Sequence, residues 1–370
     1  MIGINILYEE EKVKQKILLI SLVLLIAMSL VAVGCPPPVV DPAVPVVPPV
    51  EVIRWIAQSE DPAGAFTFVS FERANRKIEK LSGGRLVIES HPGGAIVPAD
   101  TEHHAVDKGI LDMASMHSVH WVDISPAGPL FTYVIGGPTA LEYFFWFKVG
   151  PGLDLATELF ARAGFNVKAI AAMAREPEVF LYTAAPLETV EDLHGLKLRL
   201  LGDEAVIFGK LGVAPVATPS GEIYDAMARG VIDGFQHVSF AFDWVMGFHE
   251  VVRYAYVSPV RQPTCAFLWI VNKDSWAALP EDLQLLVLEV LWAEGIRHYA
   301  EISLRETVAV KKWIDYGVIV KPTPREIEEA VIRAAMEHYA EMAARDPFYA
   351  KVIDSLRAWA AAFYATFPRL

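Results

Sequence analysis

Cysteine is nearly absent: Cys35 and Cys265 are the two in 370 residues, and neither belongs to a CxxC pair or a Cys/His array. Zinc ribbons, iron–sulfur clusters and disulfide scaffolds are thereby excluded. The chain also lacks GxGxxG, Walker, GxSxG and HExxH strings, the common marks of dinucleotide, nucleotide, serine-hydrolase and zinc-peptidase chemistry. Basic charge is scarce, with 32 Lys+Arg against 45 Asp+Glu for a net charge of -13, and the folded region has no Lys/Arg-rich run. Nucleic acid is therefore not expected as a partner. What the chain does have is apolar material, 54% of its residues, enough for the cores of two domains and too much for disorder over most of its length.

The first fifty residues read as an address. Lys12, Lys14 and Lys16 precede an apolar run from Ile17 to Val33, interrupted by Ser21 and Ser29, that ends in Ala-Val-Gly-Cys at 32–35. This is the pattern of a bacterial export signal. The small residues before the cysteine resemble a lipobox, which implies cleavage before Cys35 and diacylglycerol on its thiol. A retained membrane anchor is the alternative, with the run near the lower length limit for spanning. Residues 36–50 hold seven prolines and no periodic apolar face, so they read as an extended tether. A signal peptide over 1–34, a tether over 35–50 and an extracytoplasmic, membrane-attached domain are expected. With Cys35 acylated, Cys265 has no partner and reads as a small buried apolar residue.

Beyond the tether, strands and helices alternate. Strands are predicted at 52–57, 85–90, 113–115, 167–173 and 179–182, and helices at 65–81, 102–108, 153–163 and 204–211. Such alternation implies α/β lobes with largely parallel sheets. From Glu281 to Tyr316 the apolar period runs on without an interior proline, giving a helix of roughly 54 Å, longer than one small domain.

Candidate chemistry is sparse. His103 and His104 are adjacent and so splayed on a helix, whereas His117 and His120 converge only if their stretch is helical; polar surface or ligand-lining histidines are the expectation, with no metal site and no cofactor. Glu176 and Glu178 read as a solvated loop unless they converge for acid/base work. No nucleophile stands beside an evident base, so an enzyme is not expected. Arg199, at the end of a predicted strand, offers a planar guanidinium suited to a carboxylate, and equally suits a surface salt bridge.

The strings LETVEDLHGLKLR at 187–199, GKLGVAPV at 209–216 and GEIYDAMARGVIDG at 221–234 resemble the solute receptors of tripartite ATP-independent periplasmic (TRAP) transporters, of the DctP type. So do LSGGRLVIESHPGGAIVP at 81–98, AVDKGILDMA at 105–114 and NKDSWAALPEDLQ at 272–284, and DPFYAKVIDSLRAW at 346–359 is similar to the C-terminal helix of the 2-oxoacid and lactate branch. The resemblance spans nearly all of 52–370.

It implies a two-lobed, periplasmic-binding-protein-like α/β fold, with lobe 1 formed by 51–172 plus 263–300 and lobe 2 by 173–262 plus 301–370, which includes the C-terminal helices. The long helix would span both, and hinge crossings fall near 173 and 263. It implies a small organic acid held between the lobes, its carboxylate on Arg199, and delivery to TRAP permease subunits. Gln236 and His237 stand where the branch has a metal-binding Glu-Trp pair, and Arg261 or Gln262 near a later acidic position, so the branch's acidic ligands are missing. Arg175 falls at the first crossing, where it either meets a second anionic group of the ligand or pairs with Glu176. Trp121, Phe235, His237 and Trp269 are candidate cleft walls. Exchange of the C-terminal helix in the branch implies a homodimer. A ligand-sensing subunit and an enzyme acting on carboxylates are the rival readings.

Overall fold

The computed structural model describes residues 52–366 together with Lys16. The export signal, Cys35 and the proline tether lie outside the described residues. Among those described, no helix is long and apolar enough to cross a membrane.

Strand β1 (Ile53–Ser59) pairs in parallel with β2 (Leu86–His91) and β3 (Met113–His117). Helix α1 (Phe66–Leu81) links β1 to β2 and buries Phe68, Phe71, Ala74 and Ile78 at helical spacing. It stops at Ser82 because Gly83 and Gly84 both take positive φ, 65° and 79°, which an L side chain resists. Helix α2 (Glu102–Asp107) precedes β3. Helices α3 (Ala140–Lys148), started by a Thr139/Glu142 capping box, and α4 (Gly152–Arg162) lead into β4 (Val167–Met173).

After the first crossing come β5 (Leu181–Thr183), β6 (Lys197–Arg199), α5 (Gly202–Gly209), β7 (Ala214–Val216), α6 (Ile223–Ala228), β8 (Gly234–Phe235), α7 (Phe240–Val245) and β9 (Tyr254–Val257). The chain then returns as β10 (Phe267–Asn272), α8 (Lys273–Ala277) and the long α9 (Glu281–Tyr316). Strand β11 (Ile319–Pro322) and helices α10 (Arg325–Arg345) and α11 (Pro347–Thr366) close the described chain.

Two sheets result, in the order β2-β1-β3-β10-β4 and β11-β9-β5-β8-β6-β7. They are mixed and not largely parallel, because β10 runs antiparallel to β3 and β4, and β5 antiparallel to β8 and β9. These are the strands that enter each sheet straight from a crossing, so they arrive without the helical return that a parallel neighbour requires.

Helix α9 occupies the predicted bounds and serves both sheets. Its first half packs on α1 and β4, its second on α7 and β11. Gly295 permits the approach to β4, since a Cβ there would lie 2.8 Å from the carbonyl oxygen of Ala172. Trp313, further along, donates to the carbonyl of Phe240 and stacks near Tyr182 in the core of the second sheet.

The two C-terminal helices pack on each other and reach different sheets. Helix α10 packs on α5, beside the second sheet, but α11 packs on α3, beside the first. Trp359 donates to the carbonyl of Glu142, and Ser355 accepts from Trp146. Of the apolar stripe Phe348, Val352, Leu356, Trp359 and Phe363 on this last helix, the first three are buried within this chain.

Candidate functional site

In an open α/β sheet, ligands gather outside the carboxyl ends of the strands. On the second sheet those ends are Arg199 of β6 and Gln236-His237, just past β8; parallel pairing of β6 with β8 sets Arg199 beside Phe235. Arg199 is 6% exposed, and burial lowers its pKa from the ordinary guanidinium value. Its Nε donates to the carbonyl of Thr218 (3.1 Å), and Nη1 donates to both the backbone carbonyl and Oε1 of Gln236 (3.0 and 3.2 Å). Nη2 has no protein acceptor, and no carboxylate lies within 4.0 Å, among the described residues. A buried cation without a counter-anion is costly unless something supplies one.

His237, also buried, faces Asp243 through Nδ1 at 2.5 Å, while Nε2 meets the Ser220 hydroxyl. Asp243, fully buried on α7, fixes the ring as a carboxylate fixes a metal-ligating or catalytic imidazole. Sequence reasoning singled out His237 but missed its alignment with Ser220, 17 residues before, and Asp243, six after, because no local string marks the three as a set.

Arg261, expected near the ligand, is engaged inside the protein instead. It is fully buried, donating from Nη1 to Glu204 (2.6 Å) and Gln262 (3.2 Å), and from Nη2 to Glu178 (3.1 Å) and the carbonyl of Val179 (2.8 Å). Burial opposes its charge, yet Glu204 and Glu178 outweigh that and raise its pKa. Burial in turn pushes Glu178 up to about 7 despite Arg261. Glu176 and Glu178 are accordingly buried at the first crossing, not a solvated loop. Arg175 lies 3.5 Å from Glu176 and over the ring of Phe267. Of its two expected roles the ion pair is present, and Nε is left without a partner.

Three expected walls belong to the core. Trp121 is enclosed by Phe131 and Phe160, Trp269 lies on β10 between β3 and β4, and Phe235 stacks between Tyr182 and Phe248, each with no exposed surface. Phe235 and Trp269 fill the interior because their strand positions point inward on the pleat, and Trp121 does so from the 3-10 turn Ser118–Asp123.

The first sheet brings a second polar set to its strand ends. Glu60 follows β1, His117 ends β3, and His120 lies in the 3-10 turn Ser118–Asp123, the helical geometry that its spacing from His117 required. The donor atoms of these three side chains lie within 4.8 Å of one another, and the same holds for His103, His104 and Asp123. The adjacent His103 and His104 are thus not splayed; both Nε2 atoms reach Asp123. Burial pushes Glu60 up to about 8 and His117 down to about 3, which favours the neutral form of both groups. Cys265 is buried as expected, but its Sγ is 2.8 Å from His117 Nε2, which makes it a polar partner.

Two α/β lobes joined by two crossings and a shared long helix, with a buried, unpaired arginine at a strand end, define the class of two-lobed solute receptors. Residues 58–346 match the family described as "Bacterial extracellular solute-binding protein, family 7" (DctP), and the chain belongs to that family. It is 24% identical over 313 residues to the monocarboxylate 2-oxoacid-binding periplasmic protein of Nostoc sp., covering 85% of each chain. It is 27% identical over 242 residues to the C4-dicarboxylate-binding periplasmic protein DctP of Rhodobacter capsulatus, covering 62% of this chain and 67% of that one. Among solved structures, a TRAP periplasmic solute-binding protein of Colwellia psychrerythraea with bound calcium and pyruvate superposes with a TM-score of 0.78 at 25% identity, over 85% of this chain and 96% of that one.

Proposed function

We propose that the protein is an extracytoplasmic TRAP receptor that takes a small organic carboxylate onto Arg199 and presents it to a membrane permease. One observation carries the assignment: a buried guanidinium with no carboxylate partner among the described residues, at the strand end where this fold places ligands. Gln236 supports the reading in a specific way. Its side-chain amide oxygen sits on Nη1, and exchange for a ligand carboxylate would leave Nη1 and Nη2 together as a two-pronged donor. Arg175 and His237 are the further polar contacts proposed for the ligand. Native mass spectrometry of protein purified without refolding identifies any retained acid, and calorimetry with pyruvate as the first probe measures binding; failure of every small carboxylate to bind would defeat the proposal.

The clamp is proposed to work without a calcium bridge. Gln236 offers a neutral amide oxygen, and His237 is occupied by Asp243 and Ser220, whereas a calcium ion wants six to eight oxygens. Chelation is expected to leave carboxylate affinity unchanged.

Lipid attachment through Cys35 and a homodimer belong to the same proposal. The contacts that bury Phe348, Val352 and Leu356 can be made equally by a neighbour's α11, with the chain redirected at Asp346–Pro347. A light-scattering mass that stays at the monomer at every concentration would reject the exchange.

A second reading draws on Ser220–His237–Asp243, which has the order of groups that activates a serine. The family consists of solute receptors, and we propose that the array only orients His237. Labelling of Ser220 by a fluorophosphonate would instead favour an enzyme acting on carboxylate esters.

A further inference from the structure

We propose that Glu60, His117 and His120, at the strand ends of the first sheet, form a binding site for one divalent transition-metal ion of the zinc class. Two imidazoles and a carboxylate are the donor set that suits such ions and gives little advantage to calcium or magnesium. Each donor is fixed by a different piece of the fold. Glu60 sits one residue beyond β1, where its backbone N–H bonds to Ser115 and its Oε2 accepts from the backbone N–H of His117 at 2.7 Å. His117 has its ring against Phe267, with centroids 3.8 Å apart, and its Nε2 held by the Cys265 sulfur at 2.8 Å. That bond leaves Nδ1 as the free donor, and Nδ1 is the atom in contact with Glu60 Oε1. Outer partners that select a ring nitrogen in this way are characteristic of metal-bound histidine.

The spacings around His120 suit a small ion, and the touching Glu60–His117 pair parts to admit it. Ligand atoms at about 2.0 to 2.1 Å from a tetrahedral zinc lie about 3.3 Å from one another. His120 Nε2 is 3.8 Å from Glu60 Oε2 and 3.3 Å from Asp100 Oδ1, so Asp100 stands ready as a fourth donor. Asp100 is the single non-glycine residue with positive φ (74°) among the described residues, a conformation that holds its carboxylate toward this cluster at some backbone cost. A carboxylate oxygen touching an imidazole nitrogen needs a Lewis acid between them: a proton when the ion is absent, the ion when it is bound.

The His103–His104–Asp123 cluster lacks this construction. His104 and Asp123 are both 46% exposed, whereas Glu60 and His117 are 6% and 17% exposed. The proposed ion is held by residues of the first sheet's strand ends, whereas Gln236 and His237 stand at those of the second.

The test uses tagless protein stripped with a chelator and titrated with Zn2+ against a chromophoric competitor, with Co2+ absorption reporting the ligand field. One equivalent bound at micromolar affinity or tighter, with a tetrahedral or five-coordinate cobalt spectrum, is expected. Loss of an outer partner alone costs ten- to a hundredfold, so His117→Ala/His120→Ala should weaken binding by a hundredfold or more. Glu60→Gln, which keeps the shape and the acceptor for His117, should cost at least tenfold and guards against misfolding of the double variant. His103→Ala/His104→Ala should change affinity less than about twofold. Absence of stoichiometric zinc, unchanged affinity in Glu60→Gln and His117→Ala/His120→Ala, or loss confined to His103→Ala/His104→Ala would each overturn the assignment.

Discussion

Replacing Arg199 tests the receptor reading most directly. Its Nε and Nη1 hydrogens are engaged by Thr218 and Gln236, so a ligand carboxylate gains one Nη2 hydrogen and, by displacing the Gln236 amide, one Nη1 hydrogen. Charge-assisted bonds contribute about 1.5 to 3 kcal/mol each. Two of them, less the lost Gln236 bond of about 1 kcal/mol, leave a net of about 2 to 5 kcal/mol. Arg199→Ala should therefore weaken carboxylate binding by about thirtyfold to several thousandfold, where each 1.4 kcal/mol is tenfold. Arg199→Lys should do nearly as badly, because an ammonium reaching this depth cannot keep the bonds to Thr218 and Gln236 and also offer two parallel donors. Calorimetry with the acid found by mass spectrometry measures both variants, and thermal melts confirm that each is folded. Near-normal affinity in either folded variant would refute the clamp, and with it the argument that an unpaired buried cation marks the site.

Four other outcomes follow from particular contacts. Gln236→Glu sets a carboxylate on Nη1 permanently and should suppress metal-free ligand binding by tenfold or more in the same calorimetric assay. Arg261→Met strands Glu178 and Glu204 without their shared cation and should cost about 3 to 5 kcal/mol in urea denaturation, most of it regained in Glu178→Gln/Arg261→Met/Glu204→Gln. Burial, then Arg175 and Arg73, hold buried His298 down to about 3, so its contribution is complete above the unfolded value of about 6.5 and is lost as pH falls toward 3; His298→Gln should flatten the stability–pH slope in that window by up to one proton. Cys35→Ser should abolish lipid labelling and leave unprocessed precursor, and normal processing with unchanged membrane attachment would reject lipidation.

How far the sequence exposes this arrangement depends on whether a contact is local. The stop of α1 at Gly83-Gly84 and the length of α9 are local facts, written in periodicity and in residues that tolerate positive φ, and both are legible. The mixed sheet order is not, because the direction of β5 and β10 depends on which strand each meets after a crossing, not on its own composition. The same distinction separates the two arginines. Arg199 and Arg261 both follow or end short apolar segments, and one sequence offers no reason to give them different tasks. Their difference is the number of carboxylates within reach: none within 4.0 Å of Arg199 among the described residues, two for Arg261. Glu178 and Glu204 stand 83 and 57 positions from Arg261, so only the folded chain assembles that pairing. An arginine whose charge is already balanced inside the protein holds the fold together, and the one whose balance is missing is the one proposed to meet a ligand. The Glu60–His117–His120 set obeys the same rule from the acceptor side: His117 and His120 announce themselves by spacing, but Glu60, 57 residues before His117, turns two histidines into a site.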